Sequence, residues 1–160
     1  MNTWPLQKDC PAFYGNPRNP GWLHANTCDV VCPWPLHYGD VPVSHILIHN
    51  KCSESLTKVL ANIWEAVGKD LEKIKALHYD RFSGSYNLRV MRGGSALSMH
   101  SYACAIDWDA EENAFHSTKH LFTDSSLLVV KFKEEGWVWG GDWNPGSQDA
   151  MHVQAARIHP

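Results

Sequence analysis

The apolar positions of this chain fall into short, separate blocks. Leu56, Leu60, Ile63 and Val67 recur at the spacing of one helix face, with Ser53 or Ser55 placed to cap the first turn. Gly68 marks the end of that helix, or a kink before a second helical stretch from Leu71 to Leu77. Upstream, Val43 to His49 is short, apolar and rich in β-branched residues, which predicts a strand. Leu127, Leu128, Val130 and Phe132 predict another helix within 125–135, ended by Gly136. Residues 86–91, 103–109, 137–139 and 151–155 read as further short strands. On a regular strand, Ala103, Ala105, Asp107 and Asp109 share one face, and Cys104, Ile106 and Trp108 take the other. Such elements predict an α+β fold, a small antiparallel sheet with packed helices.

The first 42 residues break this pattern. They hold seven of the nine prolines, with several asparagines and glycines, and read as an irregular segment. Trp4, Phe13, Tyr14, Trp22 and Trp34 supply too much apolar area for a solvated tail, so the segment is expected to wrap on the core. With 160 residues the chain suits one domain, expected to be monomeric. A net charge of -3 and a pI near 6.3 argue against a nucleic-acid partner. No apolar run approaches a membrane span and no signal peptide is evident, so synthesis in the cytoplasm is expected. The five cysteines, an odd number, read as free thiols.

The candidate chemistry lies in the C-terminal half. Ser98-Met99-His100-Ser101-Tyr102-Ala103-Cys104-Ala105-Ile106-Asp107 and Asp149-Ala150-Met151-His152 together offer two imidazoles and carboxylates for a metal. Two imidazoles with one carboxylate suit zinc better than magnesium, which prefers oxygen ligands. Three protein ligands leave one position open, where water is acidified to a pKa of about 7, the setting for hydrolysis. Asp109 rivals Asp107 as the carboxylate ligand, because strand alternation puts both on one side. Asp149 is the candidate general base, with Glu134, Glu135 and Asp142 in reserve. Arg89 and Arg92 lie on opposite faces of a regular strand, so at most one of them is expected to reach the site directly.

Other residues have competing readings. Ser98 orients a ligand or shapes a turn. Trp137, Trp139 and Trp143 wall a groove, with at least one purely structural. His116 and His120 have helical spacing but lack the glutamate of a His-Glu-x-x-His element, and read as surface residues. Cys28 and Cys32 with Cys10, His24 or His37 match no strong zinc template, and a packing role is the better reading.

The first segment resembles the Ser-x-His-x-x-Gly-x-Ala-x-Asp signature of peptidase family M15, the zinc D-alanyl-D-alanine carboxypeptidases and L-alanyl-D-glutamate endopeptidases, which include many phage endolysins. The second resembles its Asp-x-x-His element. Trp4-Pro5, Phe13-Tyr14-Gly15, Ser85-Tyr86-Asn87 through Arg89, Gly136-Trp137 and Gly140-Gly141-Asp142-Trp143 extend the similarity. The resemblance implies a Hedgehog/DD-peptidase-like single domain over 1–160. It also implies Zn2+ held by His100, Asp107 and His152, with Asp149 as catalytic carboxylate, Arg89 as substrate-facing cation, and Ser98, Trp139 and Trp143 as substrate contacts. The family's glycine is Ala103 here, and its Phe-Glu after the last histidine is Val153-Gln154, which removes a negative charge near the metal.

The function this implies is cleavage of the peptidoglycan stem peptide at L-Ala-D-Glu, by an endolysin that reaches the wall once the membrane is permeabilised. D-alanyl-D-alanine carboxypeptidase is the alternative. A non-catalytic, metal-containing wall-binding module is the contrasting class, disfavoured by Asp149 because a structural zinc needs no base.

Overall fold

The computed structural model describes residues 3–160. A long hairpin of β1 (Thr27–Tyr38) and β2 (Val41–His49) forms one antiparallel sheet. A second sheet, in the order β3-β4-β6-β5, is built from β3 (Phe82–Gly84), β4 (Ala105–Trp108), β5 (Val138–Trp139) and β6 (His152–Gln154). Between and around them lie α1 (Cys10–Tyr14), α2 (Trp22–Asn26), α3 (Asn50–Ala66), α4 (Leu71–Ala76) and α5 (Leu127–Glu134). The fold is α+β.

α3 forms because Leu56, Val59, Leu60 and Ile63 line one face, and all four are fully buried. Its cap is neither Ser53 nor Ser55. His49, the last residue of β2, caps it by accepting from the Lys51 N–H through Nδ1 at 3.1 Å. The other ring nitrogen, Nε2, lies 3.0 Å from the Tyr14 carbonyl, and burial lowers the imidazole's pKa, so a neutral ring serves both contacts. α3 ends where Val67 and Gly68 turn the chain, Gly68 in the left-handed region at φ +69°. α5 ends likewise before Gly136 at φ +83°.

The irregular segment expected through residue 42 ends earlier, because β1 begins at Thr27. Val30, Cys32, Trp34 and Leu36 are buried in alternation, the signature of a half-buried strand. Pro33 and Pro35 lie on the exposed face, in the register break between Val31 and Leu36 where ladder hydrogen bonds are already lost. Before Thr27 the chain does wrap on the core. The Trp4 indole donates to the Glu135 carbonyl, Trp22 to Tyr14, and the Tyr14 hydroxyl to Ala155 at 2.7 Å.

Two other expectations need correction. Residues 86–91 are not a strand; Val90 makes only an isolated bridge to Leu97. Backbone groups there are taken up by the 98–101 turn instead: the Arg89 N–H donates to Ser101 Oγ at 3.0 Å, and the Ser98 N–H to the Arg89 carbonyl at 2.9 Å. Nor does the central strand run from 103 to 109. Ala103 (φ +52°) and Asp109 (φ +46°) are left-handed and bracket β4, so the alternation that put Asp109 beside Asp107 fails.

Candidate metal centre and its cleft

β4 and β6 pair antiparallel with Asp107 directly opposite His152. His100 joins them from a 3-10 turn, Met99–Tyr102, that leads into β4. Ser98 caps that turn, its Oγ accepting from the His100 N–H at 3.2 Å, so the turn reading of Ser98 is realised beside the site. Ala103 ends it in the left-handed region, where a side chain costs about 1–2 kcal/mol. Its methyl is fully buried, which returns about 0.8 kcal/mol, so alanine can stand where the resemblance expects glycine.

His100, Asp107 and His152 each offer one ligand atom, all within 4.8 Å of one another. His100 Nε2 lies 3.2 Å from Asp107 Oδ2, and His152 Nδ1 lies 3.1 Å from Oδ1. The outer nitrogen of His100, Nδ1, is 2.7 Å from the Ser85 carbonyl. A carbonyl only accepts, so Nδ1 carries the proton in a neutral ring and Nε2 turns a lone pair toward the carboxylate. Two acceptors face one another across that gap, an arrangement that a cation resolves. Two imidazoles and a carboxylate converging in this way fit zinc. In a metal-free chain, protons do the same work. Burial alone disfavours charge on both groups, but hydrogen bonds from His100 and His152 hold Asp107 well below the usual carboxylate range. Burial likewise opposes charge on His152, yet Asp107 raises its pKa.

Asp149 sits on the loop into β6, half-buried, with Oδ1 shielded from solvent and lacking a hydrogen-bond partner among the described residues. Burial raises its pKa, and Asp107 adds to this while His152, His100 and Arg92 pull the other way. Gly140 explains how the loop reaches the site. The Asp149 N–H donates to the Gly140 carbonyl at 3.0 Å, and a Cβ on Gly140 would collide with the Asp149 backbone. Gly141 similarly lies against the Trp139 indole.

The reserve carboxylates are committed elsewhere. Glu135 pairs with Lys58, Glu134 with Lys131, and Asp142 with Lys133. Asp109, the rival ligand, is buried against His78 at 2.8 Å with Arg81 nearby. Cys28 and Cys32 join no metal cluster among the described residues, and all five cysteines are free.

A cleft of about 230 Å³ opens over the cluster, lined by Arg89, Arg92, Ser98, Phe115, Trp143 and Asp149 among others. Both arginines reach it, against the expectation of opposite faces, because no regular strand separates them. A second hollow, along Phe82 to Asn87, meets the first at Arg89, His100 and Asp107. Trp143 lies over His152 with ring centroids 5.3 Å apart, whereas Trp139 is buried and spends its indole N–H on the Ala150 carbonyl. Trp139 is therefore a strut of the Asp149 loop, and Trp137, bonded to Ser55, is a core residue. His116 is exposed, and neither it nor His120 lies on a helix.

Sequence reasoning weighed Arg92 against Arg89 and selected Arg89, and it passed over Phe115 and Gln7 as parts of this cleft. Arg92 carries its guanidinium 4.9 Å above the Phe115 ring, a pairing across loops that no local spacing announces.

Residues 92–155 match the family model described as D-alanyl-D-alanine carboxypeptidase, of the M15 peptidases. No curated protein and no solved structure gives a match. The matched segment contains all three clustered ligands and Asp149, and stops short of Arg89 and the N-terminal segment. Over the part that carries its candidate metal centre, the chain is similar to this peptidase family.

Proposed function

We propose that this protein is a zinc-dependent M15 peptidase that cuts the stem peptide of bacterial peptidoglycan. The observation that carries the reading is the shielded, unpartnered carboxylate oxygen of Asp149 beside three converging metal-type ligands. His100, Asp107 and His152 would hold a divalent ion, which when bound would supply Lewis-acid polarisation of a scissile carbonyl and acidify a water. Asp149 accepts the proton of that water as the new C–O bond forms, and returns it to the departing amine as the C–N bond breaks. Burial suits it to both steps, since a carboxylate with a raised pKa holds a proton more readily. Arg89 borders both hollows and is suited to developing charge on the carbonyl oxygen. Arg92, with its guanidinium over the Phe115 ring at the cleft, suits a stem carboxylate. Ser98 and Trp143 flank the peptide.

Within this class we favour the L-Ala-D-Glu bond, because hollows lie on both sides of the cluster and an endopeptidase must accept chain in both directions. An endolysin acting after membrane permeabilisation is the setting we attach to it; no helix among the described residues is long and apolar enough to cross a membrane. The second reading, D-alanyl-D-alanine carboxypeptidase, is favoured by the description of the matching family. Mass spectrometry of digested peptidoglycan separates them. A new amino group on D-glutamate supports the endopeptidase, and release of free D-alanine as the main product establishes the carboxypeptidase.

A further inference from the structure

We propose that Gln154, oriented by the Ala156 carbonyl and Gln7, is a positioning residue that fixes His152 as the Nε2–H tautomer and leaves Nδ1 free for a metal. The inference rests on the metal-centre reading above. His100 has its proton placed by a backbone carbonyl, which cannot turn around. His152 instead faces a side-chain amide, with Nε2 2.8 Å from Gln154 Oε1, and an amide has two faces of opposite polarity.

What decides the face lies beyond the ring. Gln154 Nε2 is 3.0 Å from the Ala156 carbonyl and 2.8 Å from Gln7 Oε1. The Ala156 oxygen only accepts, so the NH2 end must point toward it. The Oε1 end then points at His152 Nε2, which must donate. A neutral imidazole carries one N–H, so Nδ1 keeps its lone pair, aimed at Asp107 and the metal position. Turning the amide over would set Gln154 Oε1 against the Ala156 oxygen and move the imidazole proton to Nδ1, where it blocks the metal. Gln154 is almost wholly buried, so water does not relieve that clash.

Gln7 belongs to the N-terminal segment, outside the residues that match the family. It is held there by main-chain bonds: the Gln7 N–H donates to the Arg157 carbonyl at 2.9 Å, and the Arg157 N–H to Pro5 at 2.7 Å. Arg157 Nε adds a bond to the Trp4 carbonyl at 2.7 Å. The wrapped segment thus reaches a metal ligand through one amide.

The test uses the full chain and four variants, with zinc affinity read by chelator competition and the His152 tautomer read by two-bond 1H–15N NMR of metal-free protein at alkaline pH. The expected tautomer in the unaltered chain is Nε2–H. Gln154→Leu, which has no acceptor, should lose this preference and bind zinc about 10–100-fold more weakly. Gln154→Glu, which still accepts from Nε2–H although its second oxygen meets the Ala156 and Gln7 oxygens, should keep the Nε2–H tautomer. Gln7→Leu should weaken binding while Gln7→Glu, which keeps an acceptor for the amide, should not; these serve if the Gln154→Leu chain does not fold. An Nδ1–H tautomer in the unaltered chain, or an unchanged Nε2–H preference with unchanged zinc affinity in Gln154→Leu, would overturn the proposal. Failure of the unaltered chain to bind zinc would defeat the metal-centre reading, while the tautomer still decides the role of Gln154.

Discussion

In the proposed mechanism Asp149, His152 and Asp107 have different roles, and each role has a separate signature. Asp149→Asn should fold and keep its zinc, yet lose about two to four orders of magnitude in turnover, the usual size of an acid-base contribution. Steady-state kinetics with elemental analysis checks this, and near-normal turnover would move the proton-transfer role elsewhere. Metal-free protein should also show a stability window set by the other two. His152 has a raised folded pKa, so its contribution is complete below its unfolded value of about 6.5 and disappears as pH climbs through the folded value. Asp107 has a depressed one, so its contribution is complete above about 3.9 and disappears as pH falls through the folded value. Thermal melts of chelator-treated protein should therefore decline on both sides, with zinc abolishing the alkaline decline by taking the proton's place. An alkaline decline unchanged by zinc would contradict it. The resemblance of the two motifs singled out His100, Asp107, Asp149 and His152, and the structure brings all four to one cleft, while their roles stand as proposals. Trp139 was misread because composition cannot tell a groove wall from a strut. Arg92 was set aside in favour of Arg89 because a regular strand was assumed there, and its contact with Phe115, from a distant loop, is announced by no local spacing.

At the scale of elements, strands whose register is fixed by pairing position two ligands, and turns position everything else. Asp107 and His152 are cross-strand partners, so neither can shift without slipping the sheet. Asp149 depends on the approach of its loop to Gly140. Gly140→Ala should push that loop away and lower turnover by tenfold or more, with zinc content preserved, because a small misplacement of a catalytic group is costly. Loss of zinc in the same variant, by elemental analysis, would show that the loop supports His152 rather than Asp149. α3 and α5 were readable from periodicity, their ends from Gly68 and Gly136, whereas the short α1 and α2 lie in the segment read as irregular and were not. The cap of α3 was not, because histidine is an uncommon cap and its role depends on Tyr14, far away in sequence. β1 was hidden by its prolines, although the Val30, Cys32, Trp34 and Leu36 alternation was present throughout. Residues 86–91 looked like a strand, but Ser101 and the His100 turn claim their hydrogen bonds.

The whole molecule is organised around a small sheet whose two central strands carry Asp107 and His152 beneath a cleft, with Gln7 of the N-terminal segment among the residues that line it. Tyr14 bonds to Ala155, Gln7 to Gln154 and Trp4 to Glu135, so residues far apart in sequence support the same strand and its neighbours. That long-range support lies outside the segment that matches the peptidase family, and no local pattern discloses it. The claim that joins these parts is that one metal ion, held by His100, Asp107 and His152, is needed for hydrolysis. Zinc titration of chelator-treated protein, with solubilised peptidoglycan as substrate, measures this directly. Activity should be absent at the start, rise in proportion to added zinc and level off at one ion per chain; activity that persists without metal, or none at full occupancy, would contradict the claim.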